Sequence, residues 1–181
     1  MHPFLSLLLL SCSVTAGVRP PAGMQHPNCH LMSHSTKQAL EWASLRSVDA
    51  RQAVRDFQRR GGSAHSVLYL KDGPAGGTCV VFIQHSATYF TRYTYRAHRV
   101  DSTRVVSTRL PRPLAQLPRG CYFTLCESIS IPAVYRVLIV KQGKQVKGGL
   151  SSTDFVAQDF TAVDQARLAP AVALIRALDK E

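Results

Sequence analysis

Residues 77–110 read GTCVVFIQHSATYFTRYTYRAHRVDSTRVVSTRL, and the alternation inside this stretch decides the fold class. From residue 88 to residue 99, one parity carries tyrosines, threonine and alanine, whereas the other carries Phe90, Thr94, His98 and two arginines. Successive side chains of a strand point to opposite faces, so the pattern predicts a half-buried strand with an aromatic side and a basic side. Residues 79–84 and 104–110 are predicted to form further strands beside it.

Similar short segments continue along the rest of the chain. Strands are predicted at residues 66–71, 121–127, 134–141 and 145–150. Turn sequences separate them, such as DGPAGG after residue 71 and Gln142-Gly143-Lys144 before the last strand. Short strands joined by links of this kind favour an antiparallel meander.

Residues 36–60 permit two interpretations. Their composition favours helix, with Gly61 and Gly62 as a stop signal. Residues around Trp42, the single tryptophan, could instead form a first strand. Ser47 is a suitable N-cap for a helix at residues 48–60. The apolar stripe of that helix would be Ala50, Ala53, Val54 and Phe57.

A change of period near the end of the chain predicts a C-terminal helix that packs on the sheet. Either Thr161 or Asp159 could cap its start. Pro170 removes one helical hydrogen bond, which predicts either a kink or a helix that begins near Ala169.

The strand count leads to a closed architecture. If residues 42–46 form a strand, there are eight, and eight antiparallel strands can close into a barrel that holds one small ligand. We therefore expect a mainly β protein built as an eight-stranded antiparallel up-and-down β-barrel. A helical first loop and a C-terminal α-helix would complete it.

The order of these features resembles a known family. Cys29 precedes the tryptophan-bearing segment LEWASL, and SVDARQAVRDFQRRGG follows as a large helical loop. YRVLIVKQGKQVKGGL corresponds to a last hairpin and DFTAVDQARLAPAVALIRAL to a closing helix. From Cys29 onward, the chain resembles the lipocalin family, within it the orosomucoid and apolipoprotein M branch, with Trp42 at the signature position. The resemblance implies a carrier of small molecules.

The first residues indicate export. MHPFLSLLLLSCSVTAG has the apolar run and small residues of a signal peptide, predicted at residues 1–17. Residues 18–35 are predicted to be an extended lead-in, and residues 36–181 a single lipocalin-like domain. His26, Cys29, His30 and His34 crowd together, which we interpret as a histidine-rich loop and not a metal site. We expect a secreted protein without a transmembrane segment.

Four cysteines remain after the predicted leader: Cys29, Cys79, Cys121 and Cys126. In an exported chain they suggest two disulfides, with three possible connectivities. Cys121 and Cys126 would point to opposite faces of one strand, so they should not pair with each other. We favour Cys79 with one of these two, and Cys29 with the other.

The main functional hypothesis is a secreted carrier with a ligand in the barrel. The predicted ligand-binding residues are Tyr69, Phe82, Tyr93, Tyr95, Tyr122 and Arg136. The aromatic residues would form an apolar wall. Arg136 would seek an anionic group, because a buried unpaired charge is costly. The expected ligand is therefore small and hydrophobic or amphipathic, and an anionic group on it would suit Arg136.

The alternative hypothesis is an interaction protein that works through its surface. The formal charge of +11 would attract anions, such as an acidic polysaccharide or an acidic cell-surface receptor. A cystatin-like sheet wrapped on the helix of residues 36–60 would suit this alternative. The arginine face would consist of Arg92, Arg96, Arg99, Arg104 and Arg109. Neither hypothesis involves an enzyme, because no catalytic motif is recognisable. We also expect no cofactor, metal or nucleic acid.

Overall fold

The computed structural model describes residues 29–60, 65–73, 77–126, 134–152 and 160–181. The predicted leader of residues 1–17 lies outside these ranges. The strands are β1 (Cys29–His34), β2 (His65–Asp72), β3 (Thr78–Gln84), β4 (Tyr89–Arg96), β5 (Arg99–Val106), β6 (Gly120–Cys126), β7 (Tyr135–Gln142) and β8 (Gln145–Ser152). The helices are α1 (Thr36–Ser44), α2 (Val48–Arg59), α3 (Pro111–Gln116) and α4 (Ala162–Leu178). Within the described ranges, no helix is both long enough and apolar enough to span a bilayer.

All eight strands form one open sheet in the order β1-β6-β8-β7-β2-β3-β4-β5. Strands β2 to β5 make an antiparallel meander, whereas β6 and β8 run parallel. The predicted up-and-down barrel is therefore wrong. Strand β8 inserts between β6 and β7, so β1 and β5 remain at opposite edges of the sheet.

Two glycines let strand β8 lie close to both of its neighbours, β6 and β7. Gly148 lies opposite Gly120, and a side chain on Gly148 would collide with the main-chain oxygen of Pro118. A Cβ atom on Gly149 would lie 2.7 Å from the main-chain oxygen of Leu138. Strand β8 can fit between its neighbours because these two positions carry no side chain.

The predicted first strand around Trp42 is also wrong, because Trp42 lies in α1. Ser35 caps this helix: its Oγ accepts from the amide of Gln38, and the Gln38 Oε1 accepts from the amide of Ser35. This reciprocal pair is a capping box, which commits the following residues to a helix. The eighth strand is instead β1, which occupies the histidine-rich stretch predicted as part of an extended lead-in.

Two helix predictions are confirmed in detail. The Ser47 Oγ accepts from the amide of Ala50 at the start of α2, and the predicted apolar stripe of that helix is buried. Thr161 caps α4 by accepting from the amide of Asp164. Helix α4 runs through Pro170, so the alternative of a helix that begins near Ala169 is wrong.

The helices cover both faces of the sheet. We call the face under α1 and α2 the front and the face under α3 and α4 the back. The front core packs Ala43, Ala53 and Phe57 against strand residues such as Leu68, Val81 and Ile139. The back core packs Leu114, Leu174 and Leu178 against residues such as Val67, Phe82 and Leu138. Since both faces are covered, the strands of the middle of the sheet are almost wholly apolar.

The cysteine prediction is only partly compatible with this structure. Cys79 and Cys121 are free and buried, so the favoured pairing of Cys79 is wrong. Burial raises the pKa of the Cys79 thiol to about 12, which keeps the thiol protonated and unreactive. Cys29 lies directly opposite Cys126 in the β1–β6 ladder. A bond between these two residues, one of the pairings left open by the sequence, stays a prediction.

A buried lysine fixes the end of α2. Lys141 on β7 is 4% exposed, and its Nζ donates to the main-chain oxygens of Phe57, Gln58 and Arg60. These carbonyl groups end α2 and would otherwise lack partners. Burial lowers the pKa of Lys141, yet a cation is favoured at the negative end of a helix.

We expect Lys141→Met to lower the free energy of unfolding by about 2 kcal/mol, because the carbonyl groups at the end of α2 would be buried without donors. Urea denaturation followed by circular dichroism would measure the change. Lys144→Met is the matched control, because Lys144 is exposed in the β7–β8 turn. Equal stability of the two variants would contradict the role given to Lys141.

Helix α1 rests on an aromatic cluster at the edge of the sheet. The ring centroid of Trp42 lies 5.3 Å from that of His34 and 5.4 Å from that of Phe123. Burial lowers the pKa of His34 below its ordinary value of 6.5, and the main chain of Tyr122 opposes the shift only in part. The folded state therefore holds fewer protons on His34 than the unfolded state does.

It follows that acidification should weaken the fold. The stabilisation linked to His34 is fully present above about pH 6.5 and is lost as the pH falls through the lower folded-state pKa. We expect the melting temperature of His34→Phe to depend less on pH across this window than that of the unmodified protein. His30→Phe, a change at an exposed position of the same strand, should keep the original dependence. Identical pH profiles for all three proteins would contradict this linkage.

Candidate functional site

The predicted ligand-binding residues lie on both faces of the sheet and do not surround one cavity. Tyr93 and Tyr95 belong to the front core, whereas Tyr69 and Phe82 belong to the back core. Tyr122 packs against the back core, and Arg136 shares the parity of Leu138 on the same face. Because the sheet is open, the barrel interior required by the carrier hypothesis does not form.

The back-face members of this set have structural partners. The Tyr69 hydroxyl donates to Asp179 Oδ1 at 2.8 Å, and Lys71 Nζ lies 3.5 Å from the same oxygen. Burial is the main cause of the raised pKa of Tyr69, and the charge of the nearby Arg136 partly opposes it. This group ties the end of α4 to β2 and β7.

The predicted arginine face is also divided. Arg92 is half-buried, and its Nη1 donates to the main-chain oxygen of Glu181 at 2.6 Å. Arg96 and Arg99 lie opposite each other beside the β4–β5 turn. Arg104 pairs with Thr91 and therefore points to the front, away from Arg92 and Arg96. Arg109 is exposed beyond the end of β5.

A different set of arginines forms a continuous surface on α2. Arg51, Arg55 and Arg59 are all exposed and lie four residues apart, so they form one row with steps of about 6 Å. We call this row the arginine stripe. Among the described residues, the ion pairs are Lys37–Glu41 and Lys71–Asp179, so no carboxylate neutralises the stripe.

The two carboxylates of α2 point away from the stripe. Asp49 accepts from the amides of Ala97 and His98, each at 2.9 Å. Asp56 accepts from the Tyr95 hydroxyl at 2.9 Å. Both acids are thus engaged with the β4–β5 hairpin. Helix α2 therefore contains both acids and arginines, but among the described residues no ion pair joins them.

The bond from Asp49 matters because the β4–β5 turn is strained. Ala97 and His98 have φ angles of 49° and 64°, in a region that suits glycine or asparagine better than these residues. A carboxylate that accepts from both amides holds the turn in this conformation. The same interaction fixes the start of α2 against the hairpin.

The stripe borders a groove between α1 and α2. This groove has a volume of about 660 Å³, with the apolar side chains of Leu40 and Val54 beside its basic groups. Its polar lining consists of Thr36, Lys37, Glu41, Ser44, Arg51, Arg55 and Gln58. Lys37 lies 3.8 Å from Glu41, and these two charges offset each other, so the net positive charge of the groove comes from Arg51 and Arg55.

Such a groove can bind an extended anion. Arginine presents a planar group of donors that matches sulfate, phosphate and carboxylate. Lys37 on α1 and Gln58 on α2 supply further donors in the groove. Several cations and donors along one groove suit a polyanion better than a small carrier ligand.

This site was not predicted from the sequence, although the spacing of the arginines on α2 indicates it. The segment VDARQAVRDFQR places arginines at positions 51, 55 and 59, a spacing that aligns them on one helix face. Our hypothesis of an arginine face used the arginines of residues 77–110 instead. The inward direction of Asp49 and Asp56 could not be predicted, because their partners lie on β4 and its turn.

We expect Asp49→Ala to destabilise the protein by about 2 kcal/mol, since two charge-assisted hydrogen bonds are lost. Adding Ala97→Asn and His98→Gly should restore part of this loss, because these residues adopt positive φ readily. Urea denaturation would measure both effects. Asp101→Ala, at an exposed position on β5, is the control and should stay within about 0.5 kcal/mol of the unmodified protein. An equally small effect of Asp49→Ala would contradict the model of the strained turn.

Comparisons of the chain with protein-family models, with curated proteins and with solved structures found no match. The resemblance to lipocalins therefore has no support beyond the order of sequence features described above. The function has to be argued from the site itself.

Proposed function

We propose that this protein binds an acidic polysaccharide through the arginine stripe and the groove between α1 and α2. The observation that carries the proposal is the separation of charge on α2. Three exposed arginines lie in a row and form no ion pair with a carboxylate of the described residues, while Asp49 and Asp56 bond to the β4–β5 hairpin.

The energetic reasoning favours a polyanion over a single small anion. An exposed guanidinium in water gains little from one counter-charge. A polymer that meets several cations at once releases many bound counterions, and this release drives association. The groove adds donors on α1 that can bond to hydroxyl groups and sulfates between the charged positions.

The predicted leader at residues 1–17 fits this role. Export would bring the basic surface to acidic polysaccharides outside the cell. A net charge of +11 would speed the encounter by long-range attraction. The location remains part of the proposal, since the described residues begin at Cys29.

Chromatography on immobilised heparin would test the site. The stripe variant changes Arg51, Arg55 and Arg59 to Gln, and we expect it to elute at clearly lower salt than the unmodified protein. The slope of log affinity against log salt should become shallower by roughly 0.7 to 0.9 for each lost contact.

A matched control separates the site from total charge. Arg112→Gln, Arg167→Gln and Arg176→Gln remove the same charge from exposed positions on α3 and α4. This control should elute close to the unmodified protein. Equal shifts of the two triple variants, or an unmodified protein that heparin does not retain at physiological salt, would overturn the proposal.

A further inference from the structure

The two edges of the sheet differ in charge. Edge strand β5 carries Arg99, Asp101 and Arg104, whereas edge strand β1 reads CHLMSH and contains no Lys, Arg, Asp or Glu. Natural proteins commonly place charges on edge strands, since an edge without them accepts another strand. Within the described residues β1 pairs with β6 on one side, and its other side is the edge of the sheet.

An apolar surface lies beside β1 on the front of the sheet. Met32 is 46% exposed, and its neighbour across the β1–β6 ladder is Phe123. Trp42 packs against Phe123 and is 37% exposed, and Leu45, three residues further along, is 74% exposed. We call Met32, Phe123, Trp42 and Leu45 the edge ridge. A contiguous exposed apolar surface at an uncharged sheet edge is typical of an interaction site.

We propose that β1 pairs with β1 of a second copy of this chain, so that one sheet continues through a dimer. A two-fold axis perpendicular to the sheet makes the two strands antiparallel and keeps each face on its own side. In an antiparallel pair, directly opposite residues point to the same face. The two-fold axis must therefore pass beside a residue of β1 and not between two residues. Centring on Met32 sets Met32 against its counterpart, with Leu31 opposite Ser33 and His30 opposite His34.

This register explains why a second copy fits the edge. The uncharged strand meets an identical uncharged strand, and the methionines meet on the front face between the two edge ridges. Pairing at β5 would instead place the charged side chains Arg99, Asp101 and Arg104 at the contact between two highly basic molecules. The main-chain groups at the edge of β1 would gain hydrogen-bond partners, and the exposed methionine would leave water.

The dimer has a consequence that rests on the proposed function. Because the axis keeps the front faces on one side, both arginine stripes and both grooves lie on the same surface of the dimer. A polysaccharide long enough to span the two grooves would bind both at once. Its second contact would be intramolecular, which raises the overall affinity by roughly a hundredfold or more.

Sedimentation equilibrium near neutral pH, without polysaccharide, tests the dimer by itself. We expect the unmodified protein to be a dimer, and Met32→Lys to be a folded monomer because it places a charge on the edge. Val106→Lys makes the same kind of change at the β5 edge, where Val106 is 77% exposed, and should remain dimeric. An unmodified protein that stays monomeric at high concentration, or a dimer that persists in Met32→Lys, would overturn the proposal.

A second measurement uses the single tryptophan as a reporter. Trp42 lies on the edge ridge, so dilution of the unmodified dimer should shift its emission to the red as the ridge becomes exposed. Val106→Lys should show the same shift at the same concentration. This measurement does not need Met32→Lys, so it tests the dimer even if that variant fails to fold. Tryptophan emission that does not change on dilution, in the unmodified protein and in Val106→Lys, would overturn the dimer.

Binding of heparin fragments of two lengths distinguishes this inference from the proposed function. Met32→Lys should bind a short fragment as tightly as the unmodified protein does, and should lose the extra affinity for long chains. Undiminished affinity of monomeric Met32→Lys for long chains would overturn the bivalent binding. Absence of any binding to short and long fragments would overturn the polysaccharide function, while the sedimentation result would still decide the dimer.

Discussion

Helix α2 is held against the sheet by charges at both of its ends, and the functional surface depends on this attachment. At its C-terminal end, the buried ammonium group of Lys141 donates to three main-chain oxygens. Near its start, the Asp49 carboxylate accepts from two amides of the β4–β5 turn. Each bond satisfies groups that would be costly to leave without partners. Together they fix the rotation of α2, and so the direction in which its arginines point.

The attachment also decides how charge is distributed on the surface. Asp49 and Asp56 accept hydrogen bonds from the hairpin, and among the described residues neither forms an ion pair with the arginines of the same helix. Three of the 22 basic residues, Arg51, Arg55 and Arg59, form the row, and Arg51 and Arg55 line the groove. In contrast, the arginines of β4 and β5 are dispersed, since strand alternation sends them to opposite faces. Arg92 is further removed from any surface role by its bond to the main chain of Glu181.

Much of the local structure followed from the sequence. The segments from β2 to β8 alternate or are strongly apolar, and all except β5 agree with the predicted strands within a few residues. Strand β5 begins at Arg99 and not at residue 104, because the β4–β5 turn lies inside the segment 88–99 that was predicted as one strand. Ser47 and Thr161 marked helix starts, because their hydroxyl groups cap amides only three residues away. The predictions that failed concern contacts between residues that are distant in the sequence. Strand β1 has few β-branched or alternating apolar residues, so it lacks a strand signal of its own and depends on pairing with β6. Both a helix and a strand were open for the segment around Trp42, and the strand that completed the count of eight is wrong, because the Ser35 capping box favours a helix.

The sequence by itself determined the spacing of apolar residues along the strands and helices, the helix caps, the apolar stripes and the excess of basic residues. These properties depend on contacts within a few residues, or on composition alone. Only the tertiary structure decided that the sheet stays open, that β8 separates β6 from β7, and that the acids of α2 face the hairpin. An alternating strand specifies two faces but not its neighbours, because ladder hydrogen bonds are made by the main chain, which is the same in every strand. The spacing that aligns the arginine stripe is therefore present in the sequence. The hydrogen bonds that hold Asp49 and Asp56 on the hairpin join residues more than thirty positions apart, so only the tertiary structure decides them.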